Sequence, residues 1–309
     1  MAVIRAIHFA ATAVTAGALI FRAAVAEPAL RSTPPATTAV RSQILLTAWA
    51  GLAIAAASGV IWFQLQAASM SGRSFGEAMT SDVLSTVLNE TQFGLVSKIR
   101  LVLAIILAAC LGYGRLALLR WLALFSALGL VASIAWTGHG GSTPGETGDV
   151  HVTADALHLC AAASWIGGLV SLVLLLSAAR RHQALAWASL ARDAAQRFST
   201  LGVVTVATLL VTGIVNAWIL VGSLQALLIT EYGQLLMLKL VVFVLMLVFA
   251  AVNRFWLTPQ LAFFSANEGR ITALRQLTRN SVIEIALGLT IFAIVGALGT
   301  LHPAFHFMN

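Results

Sequence analysis

The chain has 309 residues, of which 60% are hydrophobic and 9% charged, and its mean hydropathy is +0.93. Soluble domains carry roughly 25% charged residues, so this chain lacks the polar surface that a water-soluble enzyme, a disordered tail or a disulfide scaffold needs. It reads as a polytopic membrane protein, and its formal net charge of +7 is assigned to residues flanking spans, not to nucleic-acid binding.

Stretches of about 20 apolar residues mark membrane-crossing helices. Eight are predicted: residues 3–26, 44–68, 93–112, 117–137, 152–179, 198–221, 233–253 and 281–301. Within the first, Ala24-Val25-Ala26 looks like a small-residue cleavage site, but the adjacent Arg22 and the internal His8 argue that the segment is retained. Between the second and third, Met79, Val83, Leu84, Val87 and Leu88 fall at helical spacing within residues 77–89, which predicts a helix on the membrane surface. Cys110 and Cys160 fall on different spans, so no structural disulfide is expected.

The polar residues sort by side. Thirteen of the 18 Lys and Arg residues lie in the connections after the first, third, fifth and seventh spans, which by the positive-inside rule are cytoplasmic. Both termini are then periplasmic. His8, His139, His151, His158, His302 and His306 fall toward the opposite, outer end, leaving His182 inside.

An internal repeat is visible at offsets near 150. His8 aligns with His158, Ser58-Gly59 with Thr212-Gly213, Thr91-x-Phe93-Gly94 with Thr230-x-Tyr232-Gly233, and Arg100 with Lys239. The fold class expected is all-α, with two parallel four-helix repeats, residues 1–140 and 141–309, forming one integral membrane unit. A site between the halves is expected.

Ionisable groups inside a span are costly and mark candidate sites. His151, Asp155 and His158 follow i, i+4, i+7 spacing on one helical face, with Trp165 seven residues further. An aspartate one turn from a histidine can orient the ring toward a metal. The candidate metal ligands are His8, His139, His151, His158 and His302, and the candidate supporting residues are Asp155, Trp165, Arg100, Lys239, Asn216 and Glu284. Arg100 and Lys239 are expected to neutralise Asp155 or Glu231, and Glu284 to form a polar stop near the inner end or to pair with Arg254. Imidazole-rich sites suit Cu, Zn, Ni or haem iron, and residue chemistry alone does not choose among them.

Several segments carry a resemblance. They are Asp155-Ala-Leu-His158-Leu-Cys-Ala-Ala-Ala-Ser-Trp165-Ile-Gly167-Gly168, Trp136-Thr-Gly-His139, Arg197-Phe-Ser-x-Leu-Gly202, Thr212-Gly-x-x-Asn216-Ala-Trp218, Thr230-Glu-Tyr-Gly233-Gln-Leu-Leu-x-x-Lys239 and Asn253-Arg254. Together they resemble the CopD family of copper-resistance membrane proteins over most of the chain. The resemblance implies a non-enzymatic inner-membrane protein that moves copper from periplasm to cytoplasm, with a separate periplasmic CopC-like protein as partner. One half, with its first-span histidine and third-span base, also resembles four-helix membrane protoporphyrinogen oxidases. That likeness implies the alternative of a haem b oxidoreductase with His8 and His158 as axial ligands. A third expectation is a receptor that docks a periplasmic copper chaperone without transport.

Overall fold

The computed structural model describes every residue except 32, 34–35, 114–115, 139–144, 183, 222–223, 264–266 and 302–309, and the side chains of all described residues but 224, 226, 262–263, 267–268 and 270. The described residues form helices joined by short turns, with no strand. Among them, eight helices are long and apolar enough to cross a membrane: Ala2–Leu30, Thr37–Ser71, Gln92–Tyr113, Ala117–Thr137, Gly145–His182, Leu185–Val221, Glu231–Leu261 and Ile271–Leu298, the first to eighth spans below. In hydrocarbon a helix satisfies its backbone internally, so an apolar chain of this kind has few other options.

Several helices outrun the apolar stretches. The second, fifth and sixth spans begin about seven to thirteen residues earlier than hydropathy predicts, because segments such as residues 185–197 are polar but rich in good helix formers. The predicted surface helix is divided: a 3₁₀ turn, Glu77–Met79, is followed by extended Thr80 and the helix Ser81–Glu90. The backbone N–H and hydroxyl of Ser74 both donate to the Glu77 carboxylate, which holds that carboxyl below its ordinary value. Gly72, at φ +64°, ends the second span in the left-handed conformation that glycine adopts without steric cost.

The first and fifth spans form the centre. The first packs on the second, fourth, fifth and eighth; the fifth packs on the first, fourth, sixth and eighth. Their crossing is a backbone contact: a Cβ placed on Gly17 would strike the Ala163 carbonyl and Gly167, and one on Gly167 would strike the Ala13 carbonyl. Without water to drive association, membrane helices gain from such close approach. Gly51 of the second span and Gly296 of the eighth lie equally close to the first span, against Thr15 and the Ala2 carbonyl. Three spans contain a π-helical turn: Arg22–Ala26 in the first, Ala163–Gly167 in the fifth and Asn253–Leu257 in the seventh.

The third and seventh spans start alike. Thr91 Oγ1 accepts from the Gly94 N–H at 3.0 Å, and Thr230 Oγ1 accepts from the Gly233 N–H at 3.0 Å. Each cap satisfies one of the orphan donors of a helix start. Each is preceded by a short helix, Ser81–Glu90 or Leu224–Ile229, whose carbonyls leave no room for a Cβ on Gly94 or Gly233.

Candidate functional site

His8 lies buried on the first span. Its Nδ1 is 3.0 Å from the Ala55 carbonyl and 3.1 Å from Ser58 Oγ on the second span. A carbonyl only accepts, so Nδ1 carries the proton and Nε2 carries the lone pair. That lone pair accepts from Arg100 Nη2. Arg100 Nη1 also donates to the Leu130 carbonyl at 2.6 Å and to Ser133 Oγ at 2.7 Å on the fourth span. Trp62 packs on the imidazole with ring centroids 5.3 Å apart, and Arg5 lies over the Trp62 ring at 5.4 Å while donating to the Gly299 carbonyl at 2.6 Å. His8 and Arg100 open on a cavity of about 330 Å³ whose remaining walls include Leu52, Phe63, Phe93 and Leu101.

His158 repeats part of this geometry on the fifth span. Its Nδ1 lies 2.9 Å from Thr212 Oγ1 of the sixth span. Thr212 spends its own proton on the Thr208 carbonyl at 2.6 Å, so Nδ1–H of His158 is the donor and Nε2 again holds the lone pair. No hydrogen bond reaches that Nε2 among the described residues. His158 lines a cavity of about 140 Å³ together with His151, Asp155, Asn216, Tyr232 and Lys239. Asn216 Nδ2 donates to Asp155 Oδ1 at 3.3 Å. Lys239 is near enough to act electrostatically on both Asp155 and His158.

This second cavity lies between the halves of the chain: Arg5 and Phe9 of the first span, Ile134 and Thr137 of the fourth, and Val295 and Leu298 of the eighth complete its wall. Thr137 also lines the His8 cavity, so the two adjoin there.

Some expected groupings are found and others are not. His151, Asp155 and His158 share one cavity, but His8 opens on another; the Nδ1 bonds to Ala55 and Thr212 turn the two rings toward different flanking spans. His139 and His302 lie outside the described residues, as does His306. Among the described residues no three of His, Cys, Asp and Glu are grouped closely enough to hold a metal ion. Arg100 pairs neither with Asp155 nor with Glu231, because its guanidinium is taken up by His8, Leu130 and Ser133. Trp165, expected on the histidine face, instead donates from Nε1 to Glu284 Oε2 at 3.3 Å. Glu284 also accepts from Asn253 Nδ2. It does not pair with Arg254, which donates to the carbonyl and hydroxyl of Ser199, each at 2.8 Å. Trp165 and Glu284 border a separate apolar cleft of about 390 Å³ between the sixth and seventh spans.

Arg5, Trp62, Ser133 and Tyr232 were not singled out as site residues from sequence. The available signal was an arginine inside an apolar run and a tyrosine inside a repeated Thr-x-aromatic-Gly motif.

The geometry suits haem poorly. An axial histidine needs its lone pair turned toward iron, and at His8 that lone pair accepts from Arg100. At His158 the cavity of about 140 Å³ is smaller than the ~300–1,000 Å³ typical of organic-ligand pockets.

Comparison with known proteins supplies the family. Residues 192–298 match the model for copper resistance protein D, and residues 1–149 match that for the copper resistance protein D-like N-terminal domain. The chain is 30% identical to "Copper resistance protein D" of Pseudomonas syringae pv. tomato over 267 residues, covering 85% of this chain and 84% of that protein. It is 34% identical to "Inner membrane protein YebZ" of Escherichia coli over 173 residues, 55% of each chain. To "Copper transport protein CutJ" of Bacillus subtilis it is 31% identical over 204 residues, 61% of this chain but 35% of that protein. No solved structure matches. With this coverage, and eight spans to match, the chain is a multi-pass inner-membrane protein belonging to the copper resistance protein D family.

Proposed function

We propose that the protein carries copper from the periplasm to the cytoplasm, and that the ion enters through the cavity holding His151, Asp155 and His158. The observation that carries this reading is His158 itself. Its Nδ1–H is anchored on Thr212 of the sixth span, which leaves the Nε2 lone pair without a hydrogen bond among the described residues, and His158 lines the cavity that also holds His151 and Asp155. An imidazole fixed by a bond at its other nitrogen is the usual form of a metal-binding histidine. Family membership and the relative named a copper transport protein support copper as the cargo. His139 and His302 are further ligands in this reading; their chain neighbours Gly138 and Gly299 line the same cavity.

The arginine-rich connections support a periplasmic position for that cavity and for both termini. The matching histidine, cap and base positions support descent from a duplicated four-helix unit, residues 1–140 and 141–309. An interior-negative potential of 100 mV favours inward movement by ~2.3 kcal/mol per charge. Glu284 serves as a polar stop toward the inner end, and a separate CopC-like protein delivers the ion.

The test is copper uptake into vesicles reconstituted with purified protein and loaded with a copper-responsive dye. His158→Ala is expected to lower the initial rate about tenfold or more at unchanged protein content. Equal rates in wild type and variant would overturn the reading. Copper binding at the outer face with no uptake by wild type would instead make the protein a receptor.

A further inference from the structure

A further cavity, remote from the histidines, lies at the arginine-rich end of the first four spans and encloses about 770 Å³. Arg22, Arg31, Arg41 and Arg120 line it, with Glu27 as the one acid among the described lining residues. Glu27 is already committed. Arg22 Nε donates to it at 3.2 Å, and Arg41 grips both its oxygens, at 3.0 and 2.6 Å. The side chains of Arg31 and Arg120 have no hydrogen bond or ion pair among the described residues, so three positive charges stand in excess around one recess.

Guanidinium forks match phosphate oxygens in geometry and charge. Held at a membrane surface, several such groups repel one another unless an anion sits among them. The rest of the recess specifies more than phosphate. Leu19, Leu111 and Leu124 supply an apolar floor. Trp121 lines the cavity, is 55% exposed, and stacks on Phe125 at 6.2 Å. An exposed tryptophan at a span end is characteristic of headgroup depth. A soluble phosphate has no use for that floor or for that ring, whereas a molecule with a phosphate head and acyl chains uses both.

We propose that this cavity binds the headgroup of an anionic phospholipid, its phosphate held by Arg31 and Arg120 beside the Arg22–Glu27–Arg41 cluster and its chains running over Leu124 and Trp121. Basic recesses between spans are recurrent sites for such lipids. The lipid closes the charge balance at the junction of the first four spans and ties the ends of the first and fourth spans together. The site is separate from the histidine cavities, so its fate does not depend on copper transport.

The experiment measures lipid retention on the purified, detergent-solubilised protein by native mass spectrometry, with titrated cardiolipin, phosphatidylglycerol, phosphatidylcholine or inorganic phosphate. The variants compared are Arg31→Gln with Arg120→Gln, and Arg181→Gln with Arg275→Gln. Neither Arg31 nor Arg120 holds another side chain, so the first variant keeps the Glu27 cluster that joins the first and second spans. Arg181 and Arg275 form a basic recess elsewhere and serve as the charge-matched control. The expected result is one tightly held anionic lipid on wild type and on the control, bound about 30-fold more weakly by the Arg31/Arg120 variant. Equal retention of phosphatidylcholine, equal loss in the control variant, or inorganic phosphate competing at the lipid's own concentration would each overturn it. The last outcome would assign the recess to a soluble anion.

Discussion

His8 and His158 occupy matching positions on the two central spans. Each donates its Nδ1–H to a hydroxyl on the next span, Ser58 or Thr212, and each shares a cavity with a base from the span after that. Their surroundings then diverge. Around His8 the neighbours are Trp62, Phe93 and aliphatic side chains, and Arg100 is held by three hydrogen bonds, to His8, Leu130 and Ser133. Around His158 the neighbours are His151, Asp155, Asn216 and Tyr232, and Lys239 is a compact cation on a flexible stem with no bidentate grip. An arginine bonded to two other spans at a helix junction is a strut, since moving it would strand several buried groups at once. A lysine beside a carboxylate and imidazoles can exchange partners when a cation arrives. The same frame thus carries a base bonded to two neighbouring spans beside His8 and, in the function proposed above, a base free to exchange partners beside His158.

The comparison breaks first if its shared frame is wrong. Gly167→Val would drive a side chain into the Ala13 carbonyl and Gly17 of the first span, at a cost of about 3 kcal/mol. Loss of folded protein is expected on size-exclusion chromatography, with both sites lost together; a variant purifying and melting like wild type would refute the backbone contact.

The bases give a sharper, middle-sized test. Arg100→Ala should lower stability by about 2 kcal/mol while leaving copper uptake per folded molecule largely intact. Lys239→Ala should do the opposite, with an unchanged melting temperature and impaired uptake. Thermal melts paired with the vesicle assay read both, and a reversed pattern would exchange the roles of the two halves.

Smallest are the glycines beside the rings. A Cβ on Gly59 would sit 3.1 Å from His8 Cε1, whereas one on Gly213 would sit 3.5 Å from His158 Cε1, an ordinary contact. Gly213→Ala should therefore gain about 0.5 kcal/mol from helix propensity, and Gly59→Ala should lose that gain to crowding. Denaturation of the two variants side by side checks the sign.

The number and order of the spans were legible because a run of some 20 apolar residues suits a bilayer and little else. Span ends were less so: residues 185–197 continue the sixth helix on helix propensity, which hydropathy does not register. At the site, residue types at repeat offsets pointed to His8, His158, Arg100 and Lys239, and His151 and Asp155 followed from helical spacing. Ring direction did not follow. Placing His8 and His158 together assumed that facing helices turn their polar groups toward each other. The Gly17–Gly167 contact fills that interface with backbone, and each imidazole turns to its own flanking span. The partners of Arg100 were illegible for a related reason, since the Leu130 carbonyl belongs to the backbone and leaves no mark in the side-chain pattern.

The π turn at Ala163–Gly167 gives the fifth span two angular settings. A π turn accommodates one residue more than an α-helical turn, and one residue is worth about 100° of rotation. On the outer side of it, Asp155 and His158 address Asn216 and Thr212 of the sixth span. Within it, Trp165 addresses Glu284 of the eighth, and Gly167 addresses the first. A single span thereby meshes with several neighbours as two shorter gears on one shaft would, each cut to its own teeth. Deleting one residue there would leave the outer teeth engaged and throw the inner ones out of mesh, so the length of this segment is itself a specification.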